Sequence, residues 1–517
     1  MTAAFFTSFD ASPPESHAIP PAPTTSPPCV AARPSPLTPP FPEQPAPWTR
    51  ALAYPAREFA PTALTPIAGT LPPGLRGALY RNGPARLQRG DRWAGHWFDG
   101  DGAVLGVTFD GTSAQAAYRF VRTQAYVDDE AMNTWTQGSY GMTMPEMAVT
   151  IAPKPIRDRL RHPANTSVLA LPDRILALWE QGHPYILDPV TLETRGQDNL
   201  ATLANNQPYA AHYKRDPETG EIFNFGVTYG LRSQLNVYRS DRQGRIQHQT
   251  KLDLGCLPLI HDCLLAGQYL VFFIAPVRLD IFPLFANQAC FSDSLRWKPA
   301  LGTQILVLDR QTLAIVSRGE TDPFYSWHFG NGYVDASGAI VGDMVRYDDF
   351  ATNRYLQQVG LLNPNTAAPG TLWEFRLDPQ TGQMLESYPL AATCGEFPIV
   401  APEVVGRYAR QTYMSAFRPG CDLARDLWST IACFDRQTGE MVVADLGTQC
   451  YAIEPTYAPD LDDRDRGWIV TVVYDGATDQ SEVWVYAADR LEEEPVCRLG
   501  LPSVVPMGFH GCWAPAV

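Results

Sequence analysis

No stretch of the 517 residues approaches the roughly 18 uninterrupted apolar residues that a membrane-spanning helix needs, and the N-terminus lacks the basic start and apolar run of a secretory signal. No run of Lys or Arg offsets a net charge of -15 and a pI near 5.1, so phosphate polymers are repelled and nucleic acid is excluded as a partner. The ten cysteines are scattered, without a close CxxC pair or a dense framework. That argues against a zinc-thiolate site, a redox pair and a secreted disulfide scaffold. A P-loop, a dinucleotide-binding fingerprint, an HExxH pair and a nucleophile elbow are all missing, which leaves nucleotide-driven and serine-hydrolase chemistry without a carrier. The chain is expected to be soluble and cytoplasmic, with reduced core cysteines.

What is present is breakers and apolar residues together. The 39 Gly and 47 Pro exceed what a helix-rich protein tolerates, while 45% hydrophobic residues with 11% aromatics supply a large core. Residues 1–48 hold fourteen prolines and few charges, the composition of a disordered leader. Residues 49–517 are expected to form a single domain. From about residue 60 the sequence repeats one theme, an apolar or alternating run rich in Val, Ile, Leu, Phe and Tyr, then a tight polar turn. Asp216 to Gly220, Asp335 to Gly338, Asp378 to Gly382 and Asp435 to Gly439 each place Asp at the start of the turn and Gly where a positive φ is needed.

Roughly 450 residues of hairpins cannot form one open sheet, because sheets beyond about ten strands curl or split. Radial closure solves this, and a β-propeller of four-stranded blades fits at about 60 to 65 residues per blade for seven. The fold class is all-β. One segment departs from the theme: Met132 to Leu160 carries four of the ten methionines with Trp135, Tyr140, Lys154, Arg157 and Arg159. It reads as a loop or helical cap over the propeller, or as a lip making peripheral membrane contact to collect a lipophilic substrate.

Among nine histidines, His212, His261, His328 and His510 share apolar or aromatic neighbours. One such histidine is ordinarily a satisfied core residue. Four are different, because their separations are 49 (261 minus 212), 67 (328 minus 261) and 182 (510 minus 328). The first two are near one blade and the third near three. That spacing puts one histidine at the axial end of each of four blades, where they converge. Imidazole suits iron, copper, zinc and nickel alike. Ligating histidines need an acceptor on the second nitrogen, and Glu180, Glu396 and Glu454 stand in equally apolar surroundings where an unpartnered carboxylate is costly.

At this point the chain resembles the carotenoid cleavage oxygenase family, and more closely its cyanobacterial apocarotenoid oxygenases. The carriers are Leu79-Tyr80-Arg81-Asn82-Gly83-Pro84, His96-Trp97-Phe98-Asp99-Gly100-Asp101-Gly102, Ala164-Asn165-Thr166, Leu178-Trp179-Glu180, Ala211-His212, Ile260-His261-Asp262, Trp327-His328, Glu396-Phe397-Pro398, Glu454-Pro455 and Gly508-Phe509-His510-Gly511. The resemblance implies a seven-bladed propeller with Fe(II) on its axis, held by the four histidines. It implies Glu180, Glu396 and Glu454 as acceptors for three of them, and Thr166 as the residue whose methyl group crowds one open coordination position. O2 and a lipophilic polyene are the implied reactants, and cleavage of one C=C bond to two carbonyl products the implied reaction.

Two positions bear on substrate. The stilbenoid-cleaving branch of the family carries a lysine before the first of the three glutamates; Trp179 stands there, as in carotenoid-type members. Trp327 precedes His328 where Phe is common, and its bulk is expected to line the tunnel and shift or shorten the bound chain. The alternatives are a retinoid isomerohydrolase-type member using the metal as a Lewis acid, a zinc hydrolase, and a non-catalytic propeller binding module. Asp99 and Asp101 read as a tight hairpin, and Asp460, Asp462, Asp463 and Asp465 as a solvated loop, since the closing glutamate of a calcium loop is missing.

Overall fold

The computed structural model describes residues 45–143, 160–230 and 233–516. Strands dominate them and fall into seven consecutive antiparallel units. The first six cover residues 167–197, 214–253, 264–321, 329–394, 395–443 and 450–500. The third, fourth and fifth form one continuous hydrogen-bonded path for two reasons. Ala266 and Gly332 make a single parallel pairing between units, and the 16-residue strand Met384–Ile399 runs from one unit into the next.

The seventh unit draws on both ends of the chain. The strand Gly511–Pro515 pairs with Arg76–Arg86, placing Arg81 opposite Gly511, and Asp101–Asp110, Ala114–Phe120 and Phe59–Leu64 follow outward. Pro66–Gly69 adds an outer strand to the sixth unit through Cys497–Gly500. The chain therefore closes on itself, and these are the blades of a seven-bladed propeller.

Burial explains the sequence pattern. Middle strands such as Tyr269–Ile274 and Ile175–Leu178 are buried on both faces and read as unbroken apolar runs. Outer strands such as Ile246–Asp253 are polar and largely exposed beyond their first residue. Each buried Leu, Val or Ile contributes about 1.5–3 kcal/mol, and sandwiched blades bury dozens of them. The turns behave as expected. Asp216 Oδ1 accepts from the Glu218 and Thr219 N–H groups at 2.8 and 3.0 Å, and Gly220, Gly338, Gly382 and Gly439 all have positive φ.

Three features depart from the sequence reading. Trp48, at the end of the proline-rich leader, is fully buried, and its indole N–H reaches the Arg425 carbonyl at 3.4 Å. Trp97–Asp99 is a turn of 3-10 helix, not a hairpin, and Asp101 opens a strand with its carboxylate buried against Arg89 and Arg161. A helix at Ala351–Gly360 interrupts the hairpins; it buries Thr352, Tyr355, Leu356 and Val359 and forms part of the cap. In the methionine-rich segment, Met132 is exposed and Trp135 buried, while Met144 to Arg159 lie outside the described residues.

Candidate metal centre

Each blade has an inner strand; Thr166, His212, His261, His328 and His510 stand just before five of them, Glu396 lies within Met384–Ile399, and Glu454 lies between Cys450–Ala452 and Thr456–Pro459. Thr166, His328 and His510 immediately precede Ser167–Ala170, Phe329–Val334 and Gly511–Pro515. Blade geometry therefore aims seven separated residues at one axis.

The histidines meet there. Their four ligand nitrogens all lie within 4.8 Å of one another, and all four residues are buried. His261 Nε2 and His328 Nε2 are 3.2 Å apart, and His212 Nε2 is buried with no hydrogen-bond partner. A buried nitrogen left unpaired is costly, and a cation supplied at the shared point removes that cost. The donor set fits a resident metal ion of the imidazole-preferring kind.

Three histidines turn their second nitrogen to a carboxylate. His328 Nδ1 is 2.6 Å from Glu396, His510 Nδ1 is 2.8 Å from Glu454, and His261 Nδ1 contacts Glu180. These contacts fix tautomer and ring orientation. Each carboxylate has its own setting: Glu396 accepts from the Tyr347 hydroxyl and the Phe397 N–H, both at 2.8 Å, and Glu454 from the Gly511 N–H at 2.7 Å.

A profile described as retinal pigment epithelial membrane protein matches residues 52–515. This chain belongs to that family. It is 30% identical to the apocarotenoid-15,15'-oxygenase of Synechocystis sp. over 460 residues, spanning 87% of this chain and 92% of the relative. It is 25% identical to the isoeugenol monooxygenase of Pseudomonas nitroreducens over 462 residues, 87% of this chain and 94% of that one. Among solved structures, a cobalt-substituted Synechocystis ACO superposes with a TM-score of 0.82 at 28% identity, covering 91% of this chain and 98% of the other.

Electrostatics in this family member keep the imidazoles ready for a metal. Burial, then the neighbouring histidines, push His212 and His328 well below the ordinary imidazole range, so both are neutral at pH 7. Burial raises the Glu396 carboxyl to about 7. At Glu454 burial acts the same way but is outweighed by His510 and Arg81, and the carboxyl stays below its ordinary value.

Two cavities meet at the histidines. One is walled by Phe98, Thr166, Trp179, Trp327, Tyr355, Leu356, Phe417, Trp428 and Phe509 and reaches His261, His328 and His510; no Lys or Arg is among its described lining residues. The other, wider and more polar, carries Lys214, Asp262, Glu454 and Arg464 and reaches His212, His328 and His510. Trp327 is pinned over His261, with ring centroids 4.8 Å apart and its indole N–H donating to Thr352 at 3.0 Å. The Thr166 carbonyl accepts from the His510 N–H at 3.1 Å. The four histidines thus share one point, Glu180, Glu396 and Glu454 contact three of them, and Thr166, Trp179 and Trp327 stand in the cavity wall beside them. The sequence reading missed Arg81 as an interacting group, Tyr347, and the cavity-lining helix residues Thr352, Tyr355 and Leu356. Only the helix had a local signal, the apolar spacing of Tyr355, Leu356 and Val359.

The Tyr80 to Pro84 and Gly508 to Gly511 segments build one corner of the centre together. The Asn82 N–H donates to the His510 carbonyl and the Phe509 N–H to the Asn82 carbonyl, both at 2.9 Å. The Asn82 amide also donates to the Ala164 and Ser167 carbonyls at 2.9 and 3.0 Å, holding the Thr166 turn. A Cβ on Gly83 would stand 2.3 Å from the Gly508 Cα, so only glycine permits this backbone contact.

Proposed function

We propose that this protein is a mononuclear non-heme iron(II) dioxygenase that cleaves one C=C bond of an apocarotenoid or carotenoid polyene. The observation that carries the reading is four buried imidazoles sharing one point, three of them at the end of an aromatic cavity with no Lys or Arg among its described lining residues. His212, His261, His328 and His510 hold the iron, and Glu180, Glu396 and Glu454 orient three of them. Iron supplies the binding and activation of O2. The protein supplies everything else. Trp179, Trp327 and the surrounding rings hold an apolar chain and keep water out, and Thr166 narrows access beside His510. Because the walls grip by shape, the bond cleaved is set by how deep the chain slides before its end stops.

The balance is simple: one C=C bond and one O2 become two C=O groups, with no external reductant. The cavity favours a polyene over a phenol. Trp179 stands where a phenol-binding member carries lysine, and no Lys or Arg is among the described residues of the lining. With iron-loaded protein, 18O2 and a set of apocarotenoids and intact carotenoids, the expected result is carbonyl fragments of one length, each carrying 18O, and none without oxygen. Products formed anaerobically, or with oxygen from water alone under conditions that suppress carbonyl exchange, contradict it.

The substrate's insolubility gives the methionine-rich segment a role. No helix among the described residues is long and apolar enough to cross a membrane, yet Met132 at the start of the 132–160 segment and Val127 just before it are exposed. Peripheral contact through this segment is the accompanying reading. Met132→Asp should reduce co-sedimentation with phospholipid vesicles, and equal binding by the variant refutes that role.

A further inference from the structure

We propose that Arg81 is the charge-setting and positioning residue of the metal centre. The inference rests on the iron reading above and deepens it.

Arg81 lies in the strand Arg76–Arg86 and is 2% exposed. One guanidinium arm donates to the Glu454 backbone carbonyl. The other donates to the Phe509 carbonyl at 2.9 Å and lies 3.8 Å from the Glu454 carboxylate. A single side chain therefore grips both His510's carboxylate partner and the residue preceding His510. The grip needs space, and Gly511 provides it, since a Cβ there would come within 3.0 Å of the Arg81 Cγ.

The charge count follows from the partners. Four imidazoles contribute none. Glu180 and Glu396 have no Lys or Arg partner among the described residues; Glu396 is held by neutral donors, Tyr347 and the Phe397 N–H. Glu454 faces a buried cation. Burial lowers Arg81 only to about 10, so it is charged at neutral pH. Of the three carboxylates beside the histidines, Glu454 alone has a Lys or Arg partner among the described residues, and that partner is Arg81. Without Arg81 the surroundings carry one more negative charge and favour Fe(III) over Fe(II).

The test is a redox titration of the iron-loaded full chain, following the Fe(III) electron paramagnetic resonance signal, with iron content measured alongside. Arg81→Met should lower the midpoint potential, raising the Fe(III)/Fe(II) ratio at fixed ambient potential on the order of tenfold. Arg81→Lys should stay near wild type, because it keeps the charge. If Arg81→Met fails to fold, the double variant Arg81→Met with Glu454→Gln removes both charges and should fold again. Failure of both to fold assigns Arg81 a purely structural role and overturns the proposal. An Arg81→Met protein that folds, holds iron and titrates at the wild-type potential also overturns it, leaving the iron reading intact. Wild-type protein that takes up no iron sinks the underlying reading instead.

Discussion

His96 and His212 are both buried histidines in aromatic surroundings, yet only one of them is left with work to do. His96 Nδ1 accepts from the Phe98 N–H at 3.1 Å and Nε2 faces the Asn353 carbonyl at 3.2 Å, so a neutral ring is satisfied on both sides. His212 Nε2 has no partner except the shared point. The distinction between a packed histidine and a ligand is thus the nitrogen left over. His96 also makes a pH prediction. Burial lowers it from 6.5 to about 3, so its contribution to stability is full above pH 6.5 and is lost as pH falls toward 3. The loss is about 1.4 kcal/mol per pH unit while only the unfolded state takes up the proton. His96→Gln should remove that slope, which denaturant titrations between pH 6.5 and 4.5 would detect; an unchanged slope contradicts the assignment.

Charge at the residue scale was only partly legible. Glu180, Glu396 and Glu454 announce themselves by sitting among apolar neighbours. Arg81 does not, because its partner lies 373 residues away in sequence. The buried cluster of Arg89, Asp101, Asp129 and Arg161, whose members come from three separate segments, is hidden in the same way. Long-range pairing leaves no periodic trace.

Among the elements, the pairing of the Arg76–Arg86 strand with Gly511–Pro515 does most to place the centre. Gly83 touches Gly508 backbone to backbone, so Gly83→Ala should force the two segments apart. We expect a loss of about 1–3 kcal/mol from overpacking, seen as a lower melting temperature, together with reduced iron per chain as His510 moves. A variant that keeps both values contradicts this account of the corner. The hairpins were readable from Asp and Gly at fixed offsets, because those residues act locally. Ala351–Gly360 carries a helical spacing in Tyr355, Leu356 and Val359, yet ten residues are marginal as a helix on their own, and packing is what holds them helical among strands. Its Gly360 lies directly against Trp97, where a Cβ would stand 2.3 Å from the Trp97 nitrogen.

At the scale of the whole molecule, repetition makes the site legible. A repeating blade converts sequence spacing into angular position, so residues 49, 67 and 182 apart (261 minus 212, 328 minus 261, 510 minus 328) become neighbours. Spacing could not reveal that Thr166, Glu396 and Glu454 stand on or beside the inner strands of the remaining three blades. They carry other chemistry there. The account as a whole stands on one ion held by those four rings. X-ray absorption at the iron edge of the iron-loaded protein tests that directly. The prediction is one iron per chain with four imidazole nitrogens as its only protein ligands. Iron bound through a carboxylate or sulfur, or no specifically bound iron, would contradict it.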